Sequence, residues 1–311
     1  MRDNILIVGS GVMGCGIAAY SALAGNKTLL LCTRPESLES ALPKVKSNIN
    51  EYFAQGLCSR EEADRAILLV EARLDMPEAC GKAAVVIESV IENLVAKQKL
   101  FEELDGLLPP EIPILSNTSG LRITDIAEKT KYPQRTLTAH FWLPAHLIPL
   151  VEVVIGDHSS PELAVTIRDM LKKWGKSPVI VKKDLPGQLA NRILQAIVRE
   201  AVNIVEIGLA SAEDVDTAIK MGMALRFPVW GPLEHVDAVG IELCRSVQNT
   251  VLPEITSRQA ASPLFDKLFE ENNLGYKTGN GFYDWSNRDM GELVKRRNDF
   301  IVYALKKIHN L

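Results

Sequence analysis

The chain opens Ile5-Leu6-Ile7-Val8-Gly9-Ser10-Gly11-Val12-Met13-Gly14, and these ten residues restrict its fold more than any other stretch. A run of branched apolar residues reads as a strand buried on both faces, the condition of a central strand in a parallel sheet. Glycines follow it at the GxGxxG spacing. Gly9 permits a tight turn, Gly11 lets backbone approach a pyrophosphate, and Gly14 lets the next helix pack close to the sheet. The pattern predicts that helix over 12–23. Val12 and Met13 fall in its first turn, where free amides and the positive dipole end point at phosphates. A second strand at 28–31 completes a βαβ unit, so the segment implies dinucleotide binding.

The end of the second strand chooses the dinucleotide. In NAD enzymes an Asp or Glu about 20 residues past the glycines binds the ribose 2′-hydroxyl. Here the strand runs into Cys32-Thr33-Arg34, with no acid before Glu36. Without that carboxylate nothing repels a 2′-phosphate, and Thr33 and Arg34 are residue types that bind one. The expectation is NADP(H) in preference to NAD(H).

At 311 residues the chain is long enough for two domains. A net charge of −4, without a basic patch or a block of like charge, argues against nucleic acid and membrane surfaces as partners. No apolar run approaches the ~20 residues of a membrane span, and no leader pattern precedes the first strand. The five cysteines are scattered and lack metal-ligand spacing, which reads as reduced cytoplasmic thiols and no metal site.

Short strands alternate with helices as far as Lys183, the pattern of an α/β, doubly wound, Rossmann-type sheet. A charged helical hairpin is expected over 37–72, turning at Gly56-Leu57-Cys58-Ser59, with Ser59 and Glu62 as a capping box. Further strands are expected at 84–88, 112–116, 136–141, 150–155 and 178–181. From Asp184 the strand pattern stops, and helical periodicity runs over 188–208, 212–221 and 289–308. The expected organisation is a dinucleotide-binding domain over 1–183 and an all-helical domain over 184–311 that closes the substrate cleft and supplies the contacts of a homodimer.

One strand carries an anomaly. Leu150-Val151-Glu152-Val153-Val154-Ile155 places an ionisable residue in an apolar run. An unpaired carboxylate there costs several kcal/mol or takes up a proton, so Glu152 needs a partner. His140 lies in the preceding strand, Leu137-Thr138-Ala139-His140-Phe141, beyond the proline-rich loop 143–149. A His held by a buried Glu is the base-plus-orienter arrangement of general acid–base chemistry, and it is also compatible with a structural ion pair. Upstream, Ser116-Asn117-Thr118-Ser119-Gly120 ends the fifth strand, where open α/β sheets bind ligands. Its hydroxyls suit a substrate oxygen or the cap of the next helix. Asn191, just past Pro186-Gly187, can donate an amide hydrogen bond.

Together these residues resemble the 3-hydroxyacyl-CoA dehydrogenases along nearly the whole chain. The GSGVMG turn, Glu88-Ser89-Val90-Ile91-Glu92-Asn93, Ser116-Asn117-Thr118-Ser119, His140-Phe141, Leu150-Val151-Glu152-Val153, Asn191-Arg192, Gly231-Pro232-Leu233-Glu234 and the stretch from Lys277 to Tyr283 all have counterparts there, in order and spacing. The resemblance implies His140 as general base, Glu152 as its orienting partner, and Ser119 and Asn191 as groups on the substrate oxygen. It also implies that Asn117, Glu92, Lys97 and Lys277 lie near the cofactor. The implied reaction is one of fatty acid metabolism, the interconversion of a 3-hydroxyacyl-CoA and its 3-oxoacyl-CoA by hydride transfer.

Three departures stand out. Leu143 occupies a position where the family usually has Asn near the nicotinamide, Gly120 replaces a common Ser, and Cys32 replaces the acid of the second strand. His146-Leu147-Ile148-Pro149 is similar to a branch that includes the pyridine-carboxylate dehydrogenase of vitamin B6 breakdown. The stretch from Leu225 to Pro232 is similar to L-gulonate dehydrogenases. Those relatives act on small hydroxy acids without coenzyme A. In that alternative the substrate is a small free hydroxy acid or a hydroxymethyl or aldehyde carboxylate, NADP is the cofactor, and Arg226 grips the carboxylate through two parallel hydrogen bonds. Against it, the hairpin that holds coenzyme A in the family is full length here, and its Lys44 and Lys46 are placed to meet phosphates.

Overall fold

The computed structural model of the chain describes residues 3–308. They form two compact units, divided between Asn191 and Arg192. The first unit is built on β1 (Asn4–Val8), β2 (Thr28–Leu31), β3 (Val70–Arg73), β4 (Ala83–Glu88), β5 (Ile114–Ser116), β6 (Thr136–Phe141), β7 (Leu150–Val154) and β8 (Ser177–Val181). The order across the sheet is β3-β2-β1-β4-β5-β6-β7-β8. Every neighbouring pair is parallel except β6 and β7, which are antiparallel. The fold is a doubly wound Rossmann-type sheet, with helices α1 (Val12–Leu23), α2 (Pro35–Ala54), α3 (Arg60–Leu68), α4 (Met76–Lys82), α5 (Leu94–Leu107), α6 (Ile123–Ile126) and α7 (Pro161–Lys173).

The core lies on both faces of the sheet because the central strands are apolar throughout. One layer packs Ile5, Ile7, Val85 and Ile87 with Ile17, Tyr20 and Leu171. The other packs Leu6, Val8 and Val86 with Phe101 and Leu104. Alternate residues of β1 therefore serve opposite layers, as the two-residue strand period requires.

Strand β3 corrects the sequence reading, which ran the helical hairpin to Ala72. Residues α2 and α3 do form that hairpin, and Ser59 with Glu62 makes the reciprocal capping box at 3.2 and 2.7 Å. The helix nonetheless ends at Leu68, and Val70–Arg73 pairs with β2 as the sheet edge. Its partly exposed side chains carry a pattern too short to separate from the helix before it.

The first unit also takes in residues 184–191, which the sequence reading assigned to the second domain. Asp184 accepts hydrogen bonds from the Thr124 amide and hydroxyl at 2.8 and 2.6 Å. The Gln188 side-chain amide donates to the Thr118 carbonyl at 2.8 Å. Helix α8 (Ala190–Glu206) starts in this unit and carries the chain into the second.

The second unit is helical, with α9 (Ala212–Ala218), α10 (Pro232–Val239), α11 (Ile241–Val251), α12 (Pro263–Glu270) and α13 (Met290–Ile308). The sequence reading ran α9 to Met221. It stops at Ala218, and Ile219–Met223 winds more loosely as a π-turn. Glu206 at the end of α8 accepts from Arg258 at 2.8 Å and from Ser262 at 2.7 Å, tying α8 to the start of α12.

Candidate active site

Glu152 and His140 stand directly opposite each other in the antiparallel β6–β7 pair. Opposed residues of such a pair project on one face with neighbouring Cβ atoms. His140 Nδ1 lies 2.8 Å from Glu152 Oε2. The same oxygen accepts from the Trp142 indole N–H at 3.0 Å. Oε1 accepts from the Leu189 and Ala190 amides, at 2.9 and 2.8 Å, where α8 begins. The carboxylate is 0% exposed. Its burial pushes the pKa up, but hydrogen bonds from His140, the Ala190 amide, Trp142 and the Leu189 amide outweigh that, and the pKa falls to about 2. Glu152 is therefore ionised near neutral pH, and four donors account for its two oxygens. Nδ1 is engaged with Glu152, which leaves Nε2 as the second ring nitrogen of a residue that is buried, at 6% exposure.

The loop that joins these strands is pinned. His146 Nε2 is 3.1 Å from Glu51 Oε2 of α2. Lys176 donates to the Ala145 and Ile148 carbonyls at 2.7 and 2.8 Å and sits 3.5 Å from the centre of the Tyr20 ring.

At the carboxyl ends of β1, β4 and β5, Gly9 makes the tight turn and Gly14 the close packing that their spacing predicts. A Cβ on Gly9 would lie 2.5 Å from the Ser89 carbonyl oxygen, and one on Gly14 would lie 1.8 Å from that of Gly9. Gly9 also has φ +110°, a conformation that disfavours a side chain. A Cβ on Gly11 would meet nothing within 4 Å, so this glycine borders open space beside the first turn of α1. Helical amides of a first turn have no intrahelical acceptor. The cradle fits a dinucleotide pyrophosphate. Beyond it, Cys32 is buried, while Thr33 and Arg34 are exposed where α2 begins.

Beside the cradle runs a buried charge network. Glu88 accepts from Lys97 and the Val90 amide, each at 2.6 Å, and from the Ser116 hydroxyl at 2.6 Å. Lys97 is 1% exposed and also lies 3.5 Å from Glu92. Glu92 Oε1 accepts from the Thr118 hydroxyl at 2.6 Å and from the Ser119 and Gly120 amides at 3.0 Å. Burial raises the Glu92 pKa, but Thr118, the Gly120 amide, Lys97 and the Ser119 amide lower it overall. Asn117 accepts from the Phe141 amide at 2.8 Å and donates to the Ser89 hydroxyl at 3.2 Å, joining β5 to β6.

The first unit thus brings together Gly9, Gly11, Gly14, Glu92, Lys97, Asn117, Ser119, His140 and Glu152, with Asn191 one residue beyond the Ala190 amide. Ser119 is exposed, and the next helix starts from Arg122 without a side-chain cap, while the Thr118 hydroxyl accepts from the Leu121 amide at 3.0 Å just ahead of it. Lys277 and Arg226 belong to the second unit. Lys277 is exposed, and Arg226 lines a largely apolar cavity of about 770 Å³ with Ile197, Ile204, Val215 and Met223. The sequence reading missed Glu88 as a group with a role and the bond of Trp142 to Glu152. Glu88 is an acid ending an apolar strand, the same anomaly that marked Glu152. Trp142 follows His140 by two positions, the spacing that puts it on the same side.

Residues 4–185 match the family described as 3-hydroxyacyl-CoA dehydrogenase, NAD binding domain, and residues 187–285 match its C-terminal domain. The 5-formyl-3-hydroxy-2-methylpyridine 4-carboxylate 5-dehydrogenase of Mesorhizobium japonicum is 32% identical over 99% of this chain and 98% of its own. A probable 3-hydroxybutyryl-CoA dehydrogenase of Bacillus subtilis is 35% identical over 92% of this chain and 98% of its own. The crystal structure of a 5-formyl-3-hydroxy-2-methylpyridine 4-carboxylic acid 5-dehydrogenase, described as an NAD+-dependent dismutase, superposes with a TM-score of 0.91 at 31% identity, covering 99% of both chains. The chain belongs to the 3-hydroxyacyl-CoA dehydrogenase family of NAD-dependent oxidoreductases.

Proposed function

We propose that this chain oxidises and reduces an oxygen-bearing carbon of a small carboxylate, with His140 as the general acid–base. The observation that carries the chemistry is the saturated Glu152, which fixes the imidazole through Nδ1. In the oxidative direction His140 Nε2 takes the proton of a hydroxyl, that of an alcohol or of an aldehyde's hydrate formed with water, as the carbon-bound hydrogen leaves as hydride. In reverse the imidazolium returns the proton to the forming alkoxide. Glu152 stabilises the imidazolium, while Ser119 and Asn191 hold the oxygen on which charge develops. A bound nicotinamide supplies the hydride acceptor or donor. Gly9, Gly11, Val12, Met13 and Gly14 would hold its pyrophosphate, with Asn117, Glu92, Lys97 and Lys277 toward the remainder.

The small free substrate is supported by the full-length likeness to the pyridine-carboxylate enzyme and by Leu143, which removes a polar group from the site. Arg226 is the residue for its carboxylate. A 3-hydroxyacyl-CoA is the second reading. It is supported by the intact α2–α3 hairpin, where Lys46, Asn50, Phe53 and Arg60 line one groove. For the cofactor, the relatives support NAD(H), and exposed Thr33 and Arg34 without a neighbouring acid support NADP(H). The reading includes a homodimer formed through the second unit and action in the cytoplasm.

Initial rates with 5-formyl-3-hydroxy-2-methylpyridine 4-carboxylate and NAD+, and with acetoacetyl-CoA and NADH, test the substrate. Each is repeated with the 2′-phosphorylated dinucleotide. Turnover of the pyridine alone is expected. Turnover of acetoacetyl-CoA alone replaces this reading with the second. A large rate advantage for NADPH that Arg34→Ala abolishes would assign Arg34 to the 2′-phosphate.

A further inference from the structure

We propose that Trp142 is a positioning residue that shares Glu152 with His140 and lowers the proton affinity of the imidazole. The inference rests on the reading of His140 as the acid–base group. An ionised carboxylate offers about four lone-pair sites, and all are taken here. The Leu189 and Ala190 amides occupy Oε1, and the backbone fixes them whatever the side chains. His140 and Trp142 divide Oε2, at 2.8 and 3.0 Å. Each donor draws negative charge from the carboxylate. Trp142 draws it from the very oxygen that faces the imidazole, so an imidazolium gains less from Glu152 than it would from an unshared partner. The indole also packs against the imidazole, with ring centres 5.5 Å apart and planes at 53°, which limits rotation of the ring.

The charged groups of β4, α5 and the turn before β8 are engaged with partners of their own. At the end of β5 and just past it the neighbours are the uncharged Ser116 and Asn117, and Ser116 is itself committed to Glu88. On β4 and α5, Glu88 and Lys97 compensate each other at 2.6 Å. Lys176, from the turn before β8, lies 6.0 Å from the ring of Phe141, which strand alternation places on the opposite face from His140. The consequence is functional. A His paired with an unshared buried carboxylate tends to stay protonated, which blocks proton acceptance. Sharing the carboxylate weakens its hold on that proton relative to an unshared partner.

Trp142→Phe removes the N–H and retains most of the ring. The His140 imidazole is titrated by NMR in the cofactor-free protein, its signal assigned with His140→Gln. The midpoint should rise by roughly half a pH unit or more in Trp142→Phe. The acid limb of the kcat/KM profile should move up by the same amount, with kcat on the alkaline plateau changed only a few-fold. An unmoved midpoint in a folded variant overturns the proposal. If the variant does not fold, the Trp142 indole proton of the unaltered protein decides. It should shift with the His140 midpoint, and an indole signal that ignores that titration overturns the proposal equally. Because the titration needs no turnover, it answers even if His140→Gln keeps full activity and the acid–base reading falls.

Discussion

In the proposed reading His140 and Glu152 carry the chemistry as one opposed pair, so single substitutions there test it directly. His140→Gln keeps a polar side chain of similar size but cannot carry a proton at neutral pH. We expect kcat to fall by roughly 10²–10⁴-fold, the usual worth of positioned proton transfer, with an unchanged circular dichroism spectrum. Glu152 adds a stability effect of defined sign. Its pKa is held at about 2 against an ordinary 4.5. Its contribution is thus complete above 4.5 and is lost as pH falls from there toward 2, because only the unfolded chain takes up the proton in that window. This pair was legible in the sequence, since a lone acid in an apolar strand demands a partner. The donors on Glu152 from Trp142, Leu189 and Ala190 were not. Two of them are backbone amides, which no residue type announces, and the third comes from a residue whose aromatic bulk reads first as core.

Among the elements, those with a strong period were readable: α1 runs over the predicted residues, and β2 and β6 have the predicted ends. Strand β3 was hidden because an edge strand has one neighbour and little apolar signal of its own. The packing of α1 on β1 depends on Gly14, and a methyl group there collides with backbone that cannot move aside. Gly14→Ala should cost about 1–3 kcal/mol or more, read as a lower denaturation midpoint, and should weaken quenching of intrinsic fluorescence by dinucleotide. The β6–β7 loop depends instead on Lys176. Burial lowers the Lys176 pKa from 10.5 to about 7. Between those values the unfolded chain holds a proton that the folded chain has released, so stability rises with pH across that window. Lys176→Met should remove that rise, by an amount on the order of 1–3 kcal/mol, seen by comparing denaturation midpoints at neutral and alkaline pH.

For the whole molecule, the contrast between the two units is the main lesson. The first has a continuous core on both sides of its sheet. Among the described residues of the second, the buried apolar side chains are Val202, Val215 and Val302, while Leu209 is 72% and Phe269 73% exposed. Apolar surface on that scale is what the proposed homodimer would cover. Light scattering on the purified protein should give twice the chain mass of 34.3 kDa; a monomer would remove the homodimer from the proposed function. The sequence showed the helical character of this unit through its periodicity, and it left the loosened turn at Ile219–Met223 unmarked. Periodicity reports which face is apolar, and it does not report what covers that face. The carboxylate at 152 has one more implication, for which replacements the position tolerates. It is read twice, by the sheet through His140 and Trp142 and by the start of α8 through two amides. Glutamine offers one accepting oxygen and turns two hydrogens toward the other pair of donors. Either reader can be satisfied by that amide, but not both, so even the nearest isostere of Glu152 must break one half of the junction.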